Sequence, residues 1–184
     1  MKPFGVFILI LASGFISKAL PPAGADAYKE FYIWNDNKKL TWTDFKGKPF
    51  PNASEAAMTA SSVEFSYAAK DNLLEWKVTA KYYPQLSWSY KSKQSDYILQ
   101  HEQLHFDITE LYARLFRKRL SDEVKSVKDI KKINGIGKQI LSDWDKEQKD
   151  YDRETNHSMN PKIQAEWTAN VHERMEALSE FASK

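Results

Sequence analysis

The stretch YILQHEQLHFDITELYARLFRKRL, residues 97–120, sets the fold of this chain, because its apolar residues recur at steps of three and four. Such spacing places one apolar stripe along an α-helix. The stripe consists of Tyr97, Leu104, Ile108, Leu111 and Leu115. The sequence therefore predicts a helix from about residue 94 to residue 120 that packs on a core along this stripe.

Two of the four histidines in the chain, His101 and His105, lie four residues apart in this helix, with Glu102 between them. Residues at i and i+4 share one helix face with Cβ atoms about 5–6 Å apart, so both imidazoles can bind one zinc ion at about 2.0–2.1 Å. Glu102 is rotated about 100° from His101, which leaves its tip free to reach a metal-bound water. This H-E-x-x-H arrangement is typical of zinc hydrolases, where the glutamate is the general base.

The helical wheel places both histidines beside the apolar stripe, at the edge of the core-facing side. Gln103, Glu110 and Arg114 fall on the opposite side, which is predicted to be polar. The basic run RLFRKRL, residues 114–120, is interpreted as the solvated end of a long helix. A metal cleft next to a core requires this layout.

A catalytic zinc takes three protein ligands and keeps one position open for water. The two remaining histidines are His157 and His172. His172 has the setting of an ordinary surface histidine in the last helix. His157 follows a predicted helix end in YDRETNHSMNP, where a loop can bring it to the ion, and it is the favoured third ligand. Glu154 and Glu166 are the alternatives.

Further side chains are candidates for supporting roles at such a site. Asp107, Thr109 and Asp152 can orient the histidines by hydrogen bonds, although each has the alternative of a solvated polar group. Tyr151 and Tyr112 can donate to a developing oxyanion, with core packing as the alternative for both.

The rest of the chain predicts a strand unit followed by helices. Residues 59–83 alternate between apolar and polar side chains around a Lys-Asp-Asn turn, which indicates a β-hairpin. NGIG at 134–137 predicts a loop, and a polar helix is expected at about 138–153. Asn160 and Pro161 predict the start of a last helix. The expected class is α+β, with a small antiparallel sheet packed on the H-E-x-x-H helix and further C-terminal helices.

Composition limits the possible functions. The chain has 184 residues, 42% hydrophobic and 14% aromatic, which suits one domain with a real core. The net charge of +2 is small and the basic residues are interspersed with acidic ones, so we expect no nucleic-acid partner. The sequence does not indicate an oligomeric state.

The N-terminus has the pattern of a secretory signal peptide. Lys2 precedes an apolar run at residues 4–15, and small residues follow before residue 28. The run is shorter than the roughly 20 residues of a membrane span. We therefore predict a signal peptide at 1–27, a domain at 28–184, and export to a periplasmic or extracellular space without stable membrane insertion. The chain has no cysteine, so disulfides cannot stabilise it.

Several segments appear together in an order that resembles a known family. They are LTWTDFKGKP, AAMTAS, SW at 87–88, HEQLHFDITELYARLFRK and YDRETNH with a later glutamine and tryptophan at 164 and 167. The chain resembles a family of exported bacterial domains of unknown function, regarded as zincin-like zinc-dependent proteases. The resemblance covers about residues 40–178. It implies His101, His105 and His157 as metal ligands and Glu102 as the catalytic residue. Ser158 stands where the family pattern has glycine.

The function predicted from these features is that of an exported zinc-dependent metallopeptidase acting on a peptide or protein substrate. The alternatives are a non-catalytic zinc-binding module for peptide or cell-wall ligands, and a structural zinc site. The glutamate after the first histidine favours catalysis, since a structural site has little use for it.

Overall fold

The computed structural model describes residues 7–9, 25–70 and 73–183. Within them lie the strands β1 (Phe7–Leu9), β2 (Tyr32–Ile33), β3 (Ala57–Met58), β4 (Ser61–Lys70), β5 (Leu73–Tyr82) and β6 (Trp88–Ser89). The α-helices are α1 (Asp96–Glu123), α2 (Ile130–Thr155) and α3 (Pro161–Ala177). Short 3₁₀ turns cover Ala25–Tyr28, Trp42–Asp44, Lys91–Lys93, Val127–Asp129 and Ser179–Phe181. The predicted α+β class is confirmed.

The main sheet is antiparallel, with strand order β1-β4-β5-β2, and β3 pairs separately with β6. The predicted hairpin forms its centre. Val63 lies opposite Ala80 and Phe65 opposite Val78, and all four side chains are buried. Helix α1 packs on this face, where the ring of Phe116 lies 5.0 Å from that of Phe65.

Helix α1 lies at the centre of the molecule, between the sheet on one side and α2 and α3 on the other. The predicted stripe is largely confirmed: Leu104, Ile108 and Leu111 are fully buried. Burial extends well beyond the stripe and includes both histidines of the motif. A helix covered from two sides needs partners for its polar residues as well as its apolar ones.

The predicted polar side of α1 is wrong at Glu110 and Arg114, and the predicted solvated end of the helix is wrong at Arg117. Glu110 is fully buried and accepts hydrogen bonds from Arg114 Nε at 3.1 Å and Arg117 Nη1 at 2.9 Å. Arg117 also donates to the carbonyl oxygens of Val78 and Phe181. The basic run is therefore not wholly solvated, because β5 and the C-terminal segment cover it.

The loop predicted at NGIG is also wrong, because these residues lie inside α2. Glycine in a helix costs about 1 kcal/mol relative to alanine, but a buried stripe runs through the segment and outweighs this cost. The stripe consists of Ile133, Ile136, Ile140, Trp144, Gln148 and Tyr151. At Gly137 an added Cβ would lie 3.4 Å from Phe116 Cζ, so α1 and α2 are in close contact there.

Helix α3 begins as predicted. The side chain of Asn160 accepts a hydrogen bond from Ile163 N at 3.3 Å, and Pro161 occupies the first turn. His172 is half exposed, as expected for a surface histidine, and its Nε2 lies 3.5 Å from Asp107 Oδ2.

The predicted signal peptide lies mostly outside the described residues. Of residues 1–27, the structure describes 7–9 and 25–27, and the first of these segments pairs with β4 at residues 65–67. The signal peptide and the domain boundary remain predictions. Among the helices of the described segments, none has the length and apolar character needed to cross a membrane.

Candidate metal centre

The two histidines of the motif converge within α1. Ser95 caps this helix by accepting a hydrogen bond from Ile98 N, and the regular turn that follows places His101 and His105 side by side. Their Nε2 atoms lie 3.2 Å apart, and the residues are 4% and 8% exposed. The ring nitrogens therefore point toward each other, as a shared ion requires.

The third converging group is the carboxylate of Asp152, near the end of α2. Its Oδ1 lies 3.2 Å from His101 Nε2 and 3.1 Å from His105 Nε2. Two ligands of a tetrahedral zinc ion with bonds of 2.0–2.1 Å lie about 3.3 Å apart. Within the described part of the chain, His101, His105 and Asp152 form the group of residues that could hold a metal ion. The spacing and the donor types fit a zinc ion.

Charge concentrates at this cluster. Burial lowers the pKa of the His105 imidazole, but the negative charge of Asp152 and its hydrogen bond raise it more, so the pKa lies at about 9. Burial likewise raises the pKa of the Asp152 carboxyl, but the charge on His105 and hydrogen bonds to both imidazoles hold it well below its ordinary value. Both shifts favour a protonated His105 beside an ionised Asp152 when no metal is bound.

This proton predicts the pH dependence of zinc binding. Zinc must displace it, so we expect zinc affinity to fall by up to about tenfold for each pH unit below 9. For the metal-free protein, the raised pKa of His105 contributes stability that is complete below pH 6.5 and lost as the pH rises through 9. The stabilisation that zinc provides should therefore grow from pH 6.5 to pH 9.

Chelator competition at pH 6.5, 7.5 and 8.5, corrected for protonation of the chelator, measures this dependence. His172→Ala is the matched control, since that histidine also has a raised pKa but lies beside Asp107 instead. The control should keep the wild-type slope. A zinc affinity that is constant across this pH range would contradict the prediction.

Glu102 has the features expected of a group that works on a bound molecule. It is 4% exposed, and its buried Oε2 atom has no hydrogen-bond partner among the described residues. Its main-chain oxygen accepts a hydrogen bond from Thr59 Oγ1 at 3.1 Å, which holds the segment after β3 against this turn of α1. Burying a carboxylate oxygen without a hydrogen-bond partner costs free energy. A metal-bound water that donates a hydrogen bond to Oε2 would remove this cost.

His157, the predicted third ligand, lies beside the cluster. Its Nδ1 is 3.7 Å from Asp152 Oδ1, and its side chain is 56% exposed. His157 thus lies next to the Asp152 carboxylate, but this carboxylate is closer to the imidazoles of His101 and His105 than to that of His157. A ligand role for His157 remains a prediction.

The alternative ligands Glu154 and Glu166 have other partners. Glu154 Oε2 accepts a hydrogen bond from Trp167 Nε1 at 2.9 Å, and Glu166 lies 3.9 Å from Lys162 Nζ. Both face the groove between α2 and α3. Neither belongs to the group whose ligand atoms converge.

The loop that carries His157 is conformationally unusual. Asn156, His157 and Ser158 have φ angles of 50°, 50° and 68°. Left-handed backbone is common for asparagine but costs other L-residues roughly 1–2 kcal/mol. A glycine at the position of Ser158 would adopt this conformation without that cost.

We therefore expect Ser158→Gly to raise the free energy of unfolding by roughly 0.5–1 kcal/mol, since glycine relieves the strain but adds unfolded-state entropy. Urea denaturation of the metal-free protein measures the change. Ser121→Gly, inside α1, should instead lower stability by a similar amount. A loss of stability in both variants would contradict the prediction that the backbone at Ser158 is strained.

The tyrosine candidates pack against the site or lie away from it. The ring of Tyr151 stacks on His101 at 4.5 Å and lies edge-on to His105 at 4.9 Å. Its hydroxyl is 3.5 Å from the main-chain oxygen of His101, and burial raises its pKa well above the ordinary range. Tyr112 donates to Glu147 Oε2 at 2.5 Å. These contacts favour packing roles over oxyanion binding.

Sequence reasoning did not identify the residues that hold the histidines in place. Gln148 Oε1 lies 2.6 Å from His105 Nδ1, and Gln164 Oε1 lies 3.1 Å from His101 Nδ1. Thr109, predicted to orient a histidine, accepts a hydrogen bond from Gln148 Nε2 at 3.1 Å and so acts through that glutamine. Asp107 instead accepts from Trp34 Nε1 at 2.7 Å.

The chain thus has an α+β fold with a candidate His-His-Asp metal centre. Residues 33–158 match the family described as bacterial protein of unknown function, DUF922. The match covers well over half of the chain, which therefore belongs to this family. It includes α1 and ends one residue after His157. No curated protein and no solved structure matches this chain.

Proposed function

We propose that this chain is an exported zinc-dependent metallopeptidase that hydrolyses peptide bonds in a peptide or protein substrate. The observation that carries the proposal is the convergence of His101 Nε2, His105 Nε2 and Asp152 Oδ1 within 3.2 Å of one another. The buried, unpartnered carboxylate oxygen of Glu102 on the same helix adds the general base. This constellation is a reason to expect hydrolysis in a family of unknown function.

Zinc is the metal that suits these ligands. Two imidazole nitrogens and one carboxylate oxygen form a mixed donor set of the kind zinc binds in hydrolases, whereas magnesium and calcium prefer oxygen donors alone. Three protein ligands leave a fourth position for water. His157, 3.7 Å from Asp152 Oδ1, is close enough to exchange with it or join it after a small loop movement.

Each residue then has a defined task. A bound zinc ion would supply a water molecule whose pKa is lowered to about 7 and would polarise the substrate carbonyl. Glu102 would accept the water proton at Oε2 and pass it to the leaving amine. His101, His105 and Asp152 would bind the zinc ion. Tyr151, whose ring stacks on the imidazole of His101, would shield that imidazole from solvent. The placement of a catalytic helix under a small antiparallel sheet supports a zincin-like assignment.

One observation favours the alternative of a non-catalytic zinc-binding module. Both histidines are buried, and the side chain of Asp152 is 22% exposed, so access to the site is narrow. Such a module would hold zinc and bind a peptide or cell-wall ligand without turnover. Its distinguishing property is zinc retention with no hydrolysis.

Metal removal and reloading test the proposed function. We expect the purified chain to bind one equivalent of zinc, to cleave a protein such as casein or a peptide mixture, to lose activity on chelation, and to regain it with zinc. Mass spectrometry of the products measures cleavage. Zinc binding without cleavage would support the alternative, and failure to bind zinc would refute both.

Metal analysis of two variants assigns the third ligand in the same assay. If Asp152 is the ligand, Asp152→Asn loses zinc while His157→Ala keeps most of it. The reverse result would assign the role to His157. Glu154→Gln should bind zinc as the wild type does, since its carboxylate faces the α2–α3 groove.

A further inference from the structure

We propose that Gln148 and Gln164 are positioning residues that fix both metal-binding imidazoles in the tautomer protonated at Nδ1. This would turn both Nε2 electron pairs toward the ion. The inference rests on the metal centre of the proposed function. It concerns two residues that the H-E-x-x-H motif does not include, and it identifies what makes this turn of α1 a cation site.

The network around Gln148 fixes which end of its amide faces His105. Its Nε2 donates to the main-chain oxygen of His105 at 2.9 Å and to Thr109 Oγ1 at 3.1 Å. The Thr109 hydroxyl in turn donates to the same main-chain oxygen at 3.0 Å, so it is an acceptor toward the amide. A carbonyl oxygen only accepts, so the nitrogen end of the amide faces it and Oε1 faces the imidazole.

This orientation determines the tautomer of His105. Gln148 Oε1, which can only accept, lies 2.6 Å from His105 Nδ1. The imidazole must therefore donate from Nδ1, and in its neutral form it carries no proton on Nε2. Gln148 is 1% exposed, so water does not compete for the contact.

Gln164 acts on His101 in the same way but from α3. Its Nε2 donates to the main-chain oxygen of Tyr97 at 3.3 Å, and its Oε1 lies 3.1 Å from His101 Nδ1. The residue is 3% exposed. Two glutamines on different helices thus each require a proton on the Nδ1 atom of one imidazole of α1.

The Nδ1-protonated tautomers leave the three converging atoms of the metal centre as electron-pair donors. When both imidazoles are neutral and donate from Nδ1, the two Nε2 atoms and Asp152 Oδ1 meet at 3.1–3.2 Å with lone pairs facing inward. Three acceptors at that distance repel one another unless a cation lies among them. Gln148 and Asp152 are also four residues apart on one face of α2, so the packing of that helix on α1 sets both the orienting group and the anionic ligand.

Two readouts test the inference without any substrate. Long-range ¹H–¹⁵N spectra of the zinc-free protein at alkaline pH report the tautomers of the neutral imidazoles, and chelator competition reports zinc affinity. We expect Gln148→Leu and Gln164→Leu each to lower zinc affinity about 10–100-fold and to release the corresponding imidazole from the Nδ1–H tautomer. Gln148→Glu, which keeps an acceptor at this position, should retain the tautomer.

The matched control is Gln139→Leu, the same substitution at an exposed glutamine of α2, which should change neither readout. Wild-type tautomers and affinity in both leucine variants would overturn the inference. If Gln148→Leu does not fold, loss of the tautomer in Gln148→Glu would overturn it as well. A wild-type chain that shows these tautomers and binds zinc but cleaves no peptide would refute the proposed function and leave this inference standing.

Discussion

Glu102→Gln is expected to lower the rate of peptide hydrolysis roughly 10²–10⁴-fold, the range of general acid–base contributions, while zinc stays bound at one equivalent. Glutamine preserves the size of the side chain but cannot accept the proton of a metal-bound water. Zinc should remain, because the converging ligand atoms belong to His101, His105 and Asp152. Steady-state kinetics together with metal analysis of the same preparation measures both properties.

Glu166→Gln is the matched control for this experiment. It removes an equally sized carboxylate from a surface position, where the side chain is 59% exposed and lies near Lys162, and it should leave rate and zinc content unchanged. Equal hydrolysis by Glu102→Gln and the wild type would exclude Glu102 as the base. Loss of zinc in Glu102→Gln would instead mean that Glu102 contributes to zinc binding.

The candidate site could be predicted from sequence as far as one helix determines it. His101 and His105 converge because i,i+4 spacing on a regular helix fixes their relation. Asp152 was predicted only as an orienting residue, since its distance from the histidines depends on how α2 packs on α1. Its position five residues before His157 in YDRETNH was the available signal.

In the fold, too, features set by local sequence could be predicted, whereas features set by packing between elements could not. The hairpin could be predicted because alternation within β4 and β5 is a local property, and the apolar face that this alternation buries also specifies the strand register. The loop predicted at residues 134–137 was wrong because the local preference of glycine yields to a stripe buried against α1. Gln148 gave no signal at all, since a single polar residue on a polar helix acquires its role only through its partner helix.

Glu110 shows the limit most clearly, and it carries the largest expected effect on stability. A helical wheel assigns Glu110 and Arg114 to a polar side, yet Glu110 is fully buried between the guanidinium groups of Arg114 and Arg117. One carboxylate therefore compensates two buried cations. Other N–H groups of the two arginines donate to Met175 O at 2.6 Å, Phe181 O at 2.7 Å and Ser183 Oγ at 3.0 Å.

We expect Glu110→Gln to lower the free energy of unfolding by about 3–5 kcal/mol, because it leaves both guanidinium groups buried without a counter-ion. Urea denaturation of the metal-free protein measures the loss. Glu123→Gln removes a carboxylate of the same helix that pairs with Arg119 at the surface, and it should cost at most about 1 kcal/mol.

The comparison of these two variants separates buried charge compensation from ordinary helix electrostatics. If both lost the same small amount, the buried cluster would contribute no more than a surface ion pair. A large loss confined to Glu110→Gln would mean that this cluster, through Arg117 and its contacts with Val78 O and Phe181 O, fastens β5 and the C-terminal segment to α1. Because α1 also carries His101 and His105, the same cluster would then anchor the helix on which the metal centre is built.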